Sequence, residues 1–160
     1  MLGYYKNKEA TNEVLKNGWF YTGDLGKFDK DGFLFVTGRK KFVIVLKNGK
    51  KVFPEEVEIL INKLPFVCES MVYGMPDRDN DVKLCAKIVY DKNIMQELFP
   101  DKNEDSYHDI IMEHIKKINH KMPAYKYIRE ILITTEPLIK TTTQKIKRHE
   151  EMEKINSAIN

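Results

Sequence analysis

The chain is predicted to fold as an α+β protein, a small mixed sheet with flanking helices. Three observations lead there. A hairpin signal at residues 43–53 runs straight into a helix start, residues 68–73, 82–90 and 128–134 read as strands, and the segments between them carry apolar residues at helical spacing. From residue 42 onward the predicted order is hairpin, helix, strand, strand, helix, strand, loop, helix. Short-turn strand pairs with helices inserted among them fit one small sheet with helices on one or both faces. A length of 160 residues with 42% apolar side chains allows one packed domain, or a domain with an attached segment.

Residues 1–7 show no pattern of their own, and residues 9–16 suit a short helix ending at Asn17-Gly18. Trp19-Phe20-Tyr21-Thr22-Gly23-Asp24-Leu25-Gly26 then reads as a strand entering a glycine-punctuated turn. Lys27-Phe28 and Phe33-Leu34-Phe35-Val36 pair as a hairpin around Asp31-Gly32. The basic step Gly38-Arg39-Lys40-Lys41 leads into Val43-Ile44-Val45, and Asn48-Gly49 turns that strand back to Val52-Phe53. Pro54 suits a first helical position, and Glu55 and Glu56 favour the positive end of the helix dipole. Val57, Leu60, Ile61 and Leu64 then line one helix face, stopped by Pro65.

Along residues 82–90, Val82, Leu84, Ala86 and Ile88 alternate with a face carrying Lys83 and Lys87. Residues 77–81 form a polar turn, and residues 91–104 a loop with at most one helical turn. Ser106 with Asp109 resembles a capping box. Ile110, Ile111, Ile115 and Ile118 form the buried side of the helix that follows. Residues 135–143 make a threonine-rich loop, and residues 144–155 the last helix.

Several chemistries are excluded. Asp29 and Asp31 resemble the start of a calcium loop, but Lys40 stands where the closing glutamate is required. His108, His114 and His120 are spaced so that neighbours do not share a helix face, and no metal-ligand set completes them. Surface histidines are expected, and no metal site. There is no Rossmann or Walker phosphate loop and no serine elbow. A net charge of +3 does not demand nucleic acid. No apolar run is long enough to span a bilayer, and membrane association is left open. Cys68 and Cys85 are expected to be buried free thiols, which makes the cytoplasm the default compartment.

Three local features can carry chemistry. Asp24, beside Gly23 at a strand end, can accept both hydroxyls of a ribose, or simply cap a turn. Arg39 can engage a hydroxyl or phosphate, or belong to a solvated basic turn. Residues 140–148, KTTTQKIKR, offer hydroxyls, backbone N–H groups and an ammonium suited to developing negative charge. Their ordinary alternative is a helix start with a basic face, or a nucleic-acid patch lacking interleaved aromatics.

The order and wording of these motifs are more specific than any one of them. Gly18-Trp19-Phe20-Tyr21-Thr22-Gly23-Asp24, Asp31-Gly32-Phe33, Gly38-Arg39-Lys40-Lys41, Pro54-Glu55-Glu56-Val57-Glu58, Gly74-Met75-Pro76-Asp77 and residues 140–148 resemble the C-terminal part of AMP-forming acyl-CoA synthetases, in the adenylate-forming superfamily. The long-chain fatty acid–CoA ligase branch looks nearest. The resemblance covers nearly the whole chain. It implies that residues 1–39 are a β-hairpin remnant of a large N-terminal adenylation domain and residues 40–160 its C-terminal lid.

It also implies residue roles. Asp24 and Arg39 bind the ATP/AMP ribose region, Lys41 is the hinge, Gly49 lines the coenzyme A (pantetheine) channel, and Lys145 is the catalytic lysine of adenylation. The cofactors implied are ATP and coenzyme A, with Mg2+ bound by ligands outside this chain. The implied partners are the N-terminal domain and a fatty acid or other carboxylic acid, not nucleic acid. The chain alone is expected to lack synthetase activity; the competing reading is a free-standing lid-like module that binds nucleotide, coenzyme A or a protein partner. Four departures stand out: Gln144 where the family usually has glycine, Phe42 for a common acidic residue, Asn80-Asp81 for Gly-Glu, and apolar Val45 where some relatives carry lysine.

Overall fold

The computed structural model describes residues 1–77 and 81–159, and the chain divides into two units, Met1–Val43 and Ile44–Asn160. The expected turn at residues 77–81 falls in part on residues 78–80, and with it Asn80; these lie outside the described residues.

In the first unit, α1 (Lys8–Val14) ends earlier than its sequence pattern suggests. Two short strands, β1 (Leu15–Lys16) and β2 (Trp19–Phe20), follow it as an antiparallel pair. Asn17 and Gly18 take φ values of 51° and 81°, so this Asn-Gly forms a two-residue hairpin turn and not a helix stop. The strand expected from Trp19 onward is also interrupted. β3 (Asp24–Phe28) starts only after Gly23, and it pairs with β4 (Leu34–Arg39). The expected Asp31-Gly32 hairpin forms, and Asp29 Oδ1 tightens it by accepting the amides of Asp31 and Phe33 at 3.0 and 2.9 Å.

The second unit is the predicted mixed sheet with flanking helices. Its three strands are β7 (Val67–Pro76), β8 (Val82–Tyr90) and β9 (Ile128–Thr134), in the order β7-β8-β9. The first pair is antiparallel and the second parallel. A parallel neighbour needs a crossover. Two helices supply it, α3 (Lys92–Leu98) and α4 (Tyr107–Asn119).

One face of the sheet packs against α2 (Pro54–Ile61) and α4. Val57 and Ile61 meet Ile111, Ile115, Leu84, Ala86 and Ile88 there, all buried. The other face carries Met71, Tyr73, Cys85 and Val89 under α5 (Arg148–Ile159). The face marked by Lys87 is therefore covered, and Lys87 is itself buried.

Other expectations need correcting. α3 is a full two-turn helix where a loop was expected; Asp91 caps it by accepting the amides of Asn93 and Ile94 at 2.8 and 3.1 Å. Ser106 caps nothing. A single 3-10 turn, Glu104–Ser106, precedes α4, and Asn103 is its cap. Cys68 is exposed while Cys85 is buried, both unpaired. The β7 register shifts between Val67 and Glu69, so Cys68 falls on an irregularity that breaks the inside–outside alternation. Burial pushes the Cys85 thiol up to about 11, with Glu130 adding to the effect, so it stays protonated at neutral pH. His108 and His120 are exposed, but His114 is half-buried, edge-on to Phe66 at 5.2 Å between ring centres.

The last helix starts at Arg148, not at residue 144. Residues 139–147 instead double back on themselves. Lys140 and Ile146 form an antiparallel bridge, and the Lys147 amide donates to the Ile139 carbonyl at 2.8 Å.

Candidate functional site

In the first unit, Asp24 and Arg39 are cross-strand partners on β3 and β4. Arg39 Nε lies 3.0 Å from Asp24 Oδ1, and the two side chains remain 45% and 32% exposed. The turn before them is built for this. Gly23 has a φ of 75°, which only glycine adopts freely. Thr22 Oγ1 accepts the Asp24 amide at 3.1 Å, and the Gly23 carbonyl accepts the Lys40 amide at 2.8 Å. The carboxylate and guanidinium thus stand together at a strand end, open to solvent. Lys41 follows in a 3-10 turn, Lys40–Phe42, just ahead of the boundary between the units. Its ammonium lies 5.0 Å from the centre of the Phe42 ring.

In the second unit, Gly49 sits at the tip of the hairpin formed by β5 (Ile44–Val45) and β6 (Lys51–Val52). The turn differs from the expected two-residue form. The Leu46 amide donates to the Lys50 carbonyl and the Gly49 amide to the Leu46 carbonyl, both at 2.9 Å. Of the Asn48-Gly49 pair only Gly49 has a positive φ, 76°, so the loop has three residues with a left-handed closing position. Asp81 Oδ1 accepts the Lys47 amide at 3.1 Å and steadies the loop of this hairpin. A cleft of about 150 Å3 opens beside it, with Asn48, Tyr125, Tyr127 and Arg129 in its lining.

The segment carrying Lys145 repeats that turn. The Thr141 amide donates to the Lys145 carbonyl at 2.8 Å and the Gln144 amide to the Thr141 carbonyl at 3.0 Å. Gln144 holds the left-handed position with a φ of 62°. Thr141 Oγ1 accepts the Lys145 amide at 3.2 Å. A side chain in this conformation is strained where glycine is not. Gln144→Gly relieves that strain but adds freedom to the unfolded chain. The expected net gain is below about 1 kcal/mol; Gln144→Val should lose stability, and thermal unfolding of the two variants checks both signs.

Charge partners single out one cation in the run of residues 140–148. Lys140 pairs with Glu69, Lys147 with Glu150 at 2.8 Å, and Arg148 with Glu58 at 2.6 Å. Lys145 is exposed. Among the described residues it has no carboxylate partner.

Three carboxylates anchor the base of this segment, and none was apparent in the sequence. Glu69 accepts the Leu138 amide at 2.7 Å. Glu58 accepts both the Val72 amide and the Arg148 guanidinium. Glu151 accepts the Ile139 amide at 2.6 Å and Lys87 Nζ at 2.7 Å. A signal existed for one of them and for the partner of another: Glu58 lies three residues before Ile61, beside the apolar stripe of α2, and Lys87, which binds Glu151, lies between Cys85 and Val89 on the strand face that α5 covers.

Burial opposes ionisation of Glu151, but the Lys87 hydrogen bond, the Ile139 amide and the Lys87 charge outweigh it and hold the carboxyl below its usual range. Such a group binds more protons unfolded than folded. Its contribution to stability is present above about pH 4.5 and is lost as pH falls through the lowered folded value. Acid titration should therefore weaken the hold of α5 on the sheet below that pH, and Lys87→Met/Glu151→Gln should remove this component; tertiary circular dichroism measures it.

The family model described as "AMP-binding enzyme C-terminal domain" matches residues 41–160. The chain belongs to this family. Relatives of the AMP-binding enzyme C-terminal domain are found among CoA ligases. "Putative acyl--CoA ligase YdaB" of Bacillus subtilis is 52% identical over 75 residues, 47% of this chain and 15% of its own length. "Long-chain-fatty-acid--CoA ligase FadD15" of Mycobacterium tuberculosis is 47% identical over 72 residues, 45% of this chain and 12% of its own length. The solved "anthranilate CoA ligase AuaEII in complex with anthranoyl-AMP" superposes with a TM-score of 0.79 at 29% identity, over 98% of this chain and 28% of that one. The chain thus matches a minor part of each relative, and these proteins bear both acyl and aryl acid names.

Proposed function

We propose that this chain is the mobile C-terminal part of an ATP-dependent, AMP-forming acid–thiol ligase that activates a fatty acid or a related carboxylic acid. The observation that carries this reading is Lys145: an exposed ammonium with no carboxylate partner among the described residues, on a turn whose base is held by the half-buried Glu69 and the buried Glu151. A cation held ready in this way suits negative charge that develops between an acid carboxylate and the α-phosphate of ATP. Asp24 accepts from the ribose hydroxyls, and Arg39 fixes the Asp24 carboxylate while donating toward the same nucleotide. Lys41 is the hinge, at a position that adjoins the division between the two units.

In the second half-reaction the hairpin at Gly49 takes the place of the Lys145 turn and lines the path of the CoA thiol. ATP and CoA supply the adenylyl group and the thiol; the residues of this chain bind, orient and stabilise charge. Mg2+ is assigned in this reading to ligands of the longer protein. Residues 1–39 are assigned to the large adenylation domain and residues 40–160 to the lid. The two unpaired cysteines suit a cytoplasmic location.

The basic run at 140–148 argues for this reading over nucleic-acid binding, because its other cations are engaged by the chain's own carboxylates. An ATP–pyrophosphate exchange assay tests the proposal. The 160-residue chain alone should show no exchange, and the longer protein containing it should show exchange that depends on a carboxylic acid. Robust exchange by the chain alone would overturn the division of labour.

A further inference from the structure

The sheet face beneath α5 buries one ion pair among apolar side chains, while the Lys83–Glu130 pair on the same face is less buried. Lys87 and Glu151 meet there at 2.7 Å with side-chain exposures of 6% and 0%, on the face where Met71, Cys85, Val89, Leu138 and Ile155 pack. A buried ion pair is a poor source of stability. Desolvation offsets most of the attraction, and two apolar side chains of similar volume would serve as well or better. An apolar pair could not, however, accept the amide of Ile139, which Glu151 Oε1 holds at 2.6 Å.

Ile139 is the root of the segment that carries Lys145. Its carbonyl accepts the Lys147 amide at 2.8 Å, and the next residue, Lys140, bridges Ile146. Both arms of the turn are therefore registered from this one residue. Glu69 and Glu58 hold the flanks, at Leu138 and Arg148. Glu69 also pairs with the Lys140 side chain, but among the described residues Glu151 alone of the three accepts a backbone amide of the Ile139–Lys147 ladder.

We propose that Glu151 is a positioning residue for Lys145, with Lys87 holding its carboxylate aimed at Ile139. The inference rests on the assignment of adenylation to Lys145. Glu151 touches no substrate. It fixes the height and direction of the turn, so that the Lys145 ammonium reaches its reacting atoms without a search over loop conformers.

Two double variants separate this from a purely structural part. Lys87→Met/Glu151→Gln and Lys87→Met/Glu151→Leu both remove the buried charges, but only the glutamine keeps an acceptor for the Ile139 amide. In the chain itself, amide hydrogen exchange should stay near wild type at Ile139 and Lys147 in the glutamine variant. In the leucine variant it should accelerate about tenfold or more at these two amides, with little change in β7 and β8. In the longer protein, the leucine variant should lose about 10- to 100-fold in kcat for adenylation. Its KM for ATP and its transfer step from pre-formed acyl-adenylate should hold within about threefold.

Equal exchange and equal turnover in the two variants would overturn the proposal. Loss of protection across the whole sheet in the leucine variant would also overturn it, by making Glu151 a residue of general stability. Lys145→Ala run alongside keeps the two readings apart. If that variant still adenylates, the assignment of Lys145 fails, whereas the exchange result at Ile139 stands on its own.

Discussion

Lys145→Ala should lower acyl-adenylate formation by the protein containing this chain about 100- to 1,000-fold, the usual cost of removing one preorganised charge-stabilising group. Transfer to CoA from pre-formed acyl-adenylate should stay close to wild type. Lys145 is exposed and its backbone is fixed by Thr141 through two bonds, so the substitution removes an ammonium without disturbing the fold. Circular dichroism and thermal unfolding should be unchanged. If both half-reactions fall equally, Lys145 acts in binding or in folding, and the exchange of the Lys145 turn for the Gly49 hairpin is wrong. Lys140 makes the contrast. It lies in the same basic run but is paired with Glu69, so Lys140→Ala should disturb the anchoring of the segment before it touches the chemistry.

The sheet was legible because its signals are local. The alternation in residues 82–90 and the β-branched run in 128–134 are strand patterns whatever they pack against, and Pro54 with two following carboxylates starts α2 as expected. The turns were less legible. Asn17-Gly18 and Asn48-Gly49 are the same dipeptide, yet both residues of the first are left-handed and only glycine of the second. The difference lies in how the flanking strands pair, which the dipeptide does not encode.

Residues 144–147 look helical by composition, but long-range bonds from Ile139 and Glu151 draw the chain into a turn first. The site divides the same way. Asp24, Arg39 and Lys145 stand in recognisable local wording, and the sequence can flag them. Glu58, Glu69, Lys87 and Glu151 act through partners 12 to 90 residues away, and a charged side chain inside a strand or helix reads as solvated until the covering element is known.

The largest loss of stability is expected from Arg148→Met. β7 is an edge strand, and at Val72 its free edge is closed by side chains. Glu58 Oε1 accepts the Val72 amide at 2.7 Å, and Arg148 Nη1 donates to the Val72 carbonyl at 3.1 Å. Arg148 Nη2 also binds both oxygens of Glu58, at 2.7 and 2.6 Å. Removing the guanidinium leaves a carboxylate inside the protein with one amide as its partner, which costs about 3–5 kcal/mol. Denaturant unfolding followed by far-UV circular dichroism measures the loss.

The pH dependence carries a signature. Burial already pushes Glu58 above the usual carboxylate range, against the opposing pull of Arg148; without Arg148 the folded value rises further. A carboxyl whose folded value exceeds its unfolded one holds more protons when folded, so stability is gained as pH falls. The deficit of Arg148→Met should therefore be greatest at neutral pH and shrink toward pH 5. Glu58→Leu/Arg148→Met removes the stranded charge and should recover all but about 1–3 kcal/mol, the cost of leaving the Val72 amide and carbonyl without their partners. A single variant as stable as wild type at neutral pH would mean that Arg148 does not close this edge in solution, and that α2 and α5 are joined by packing alone.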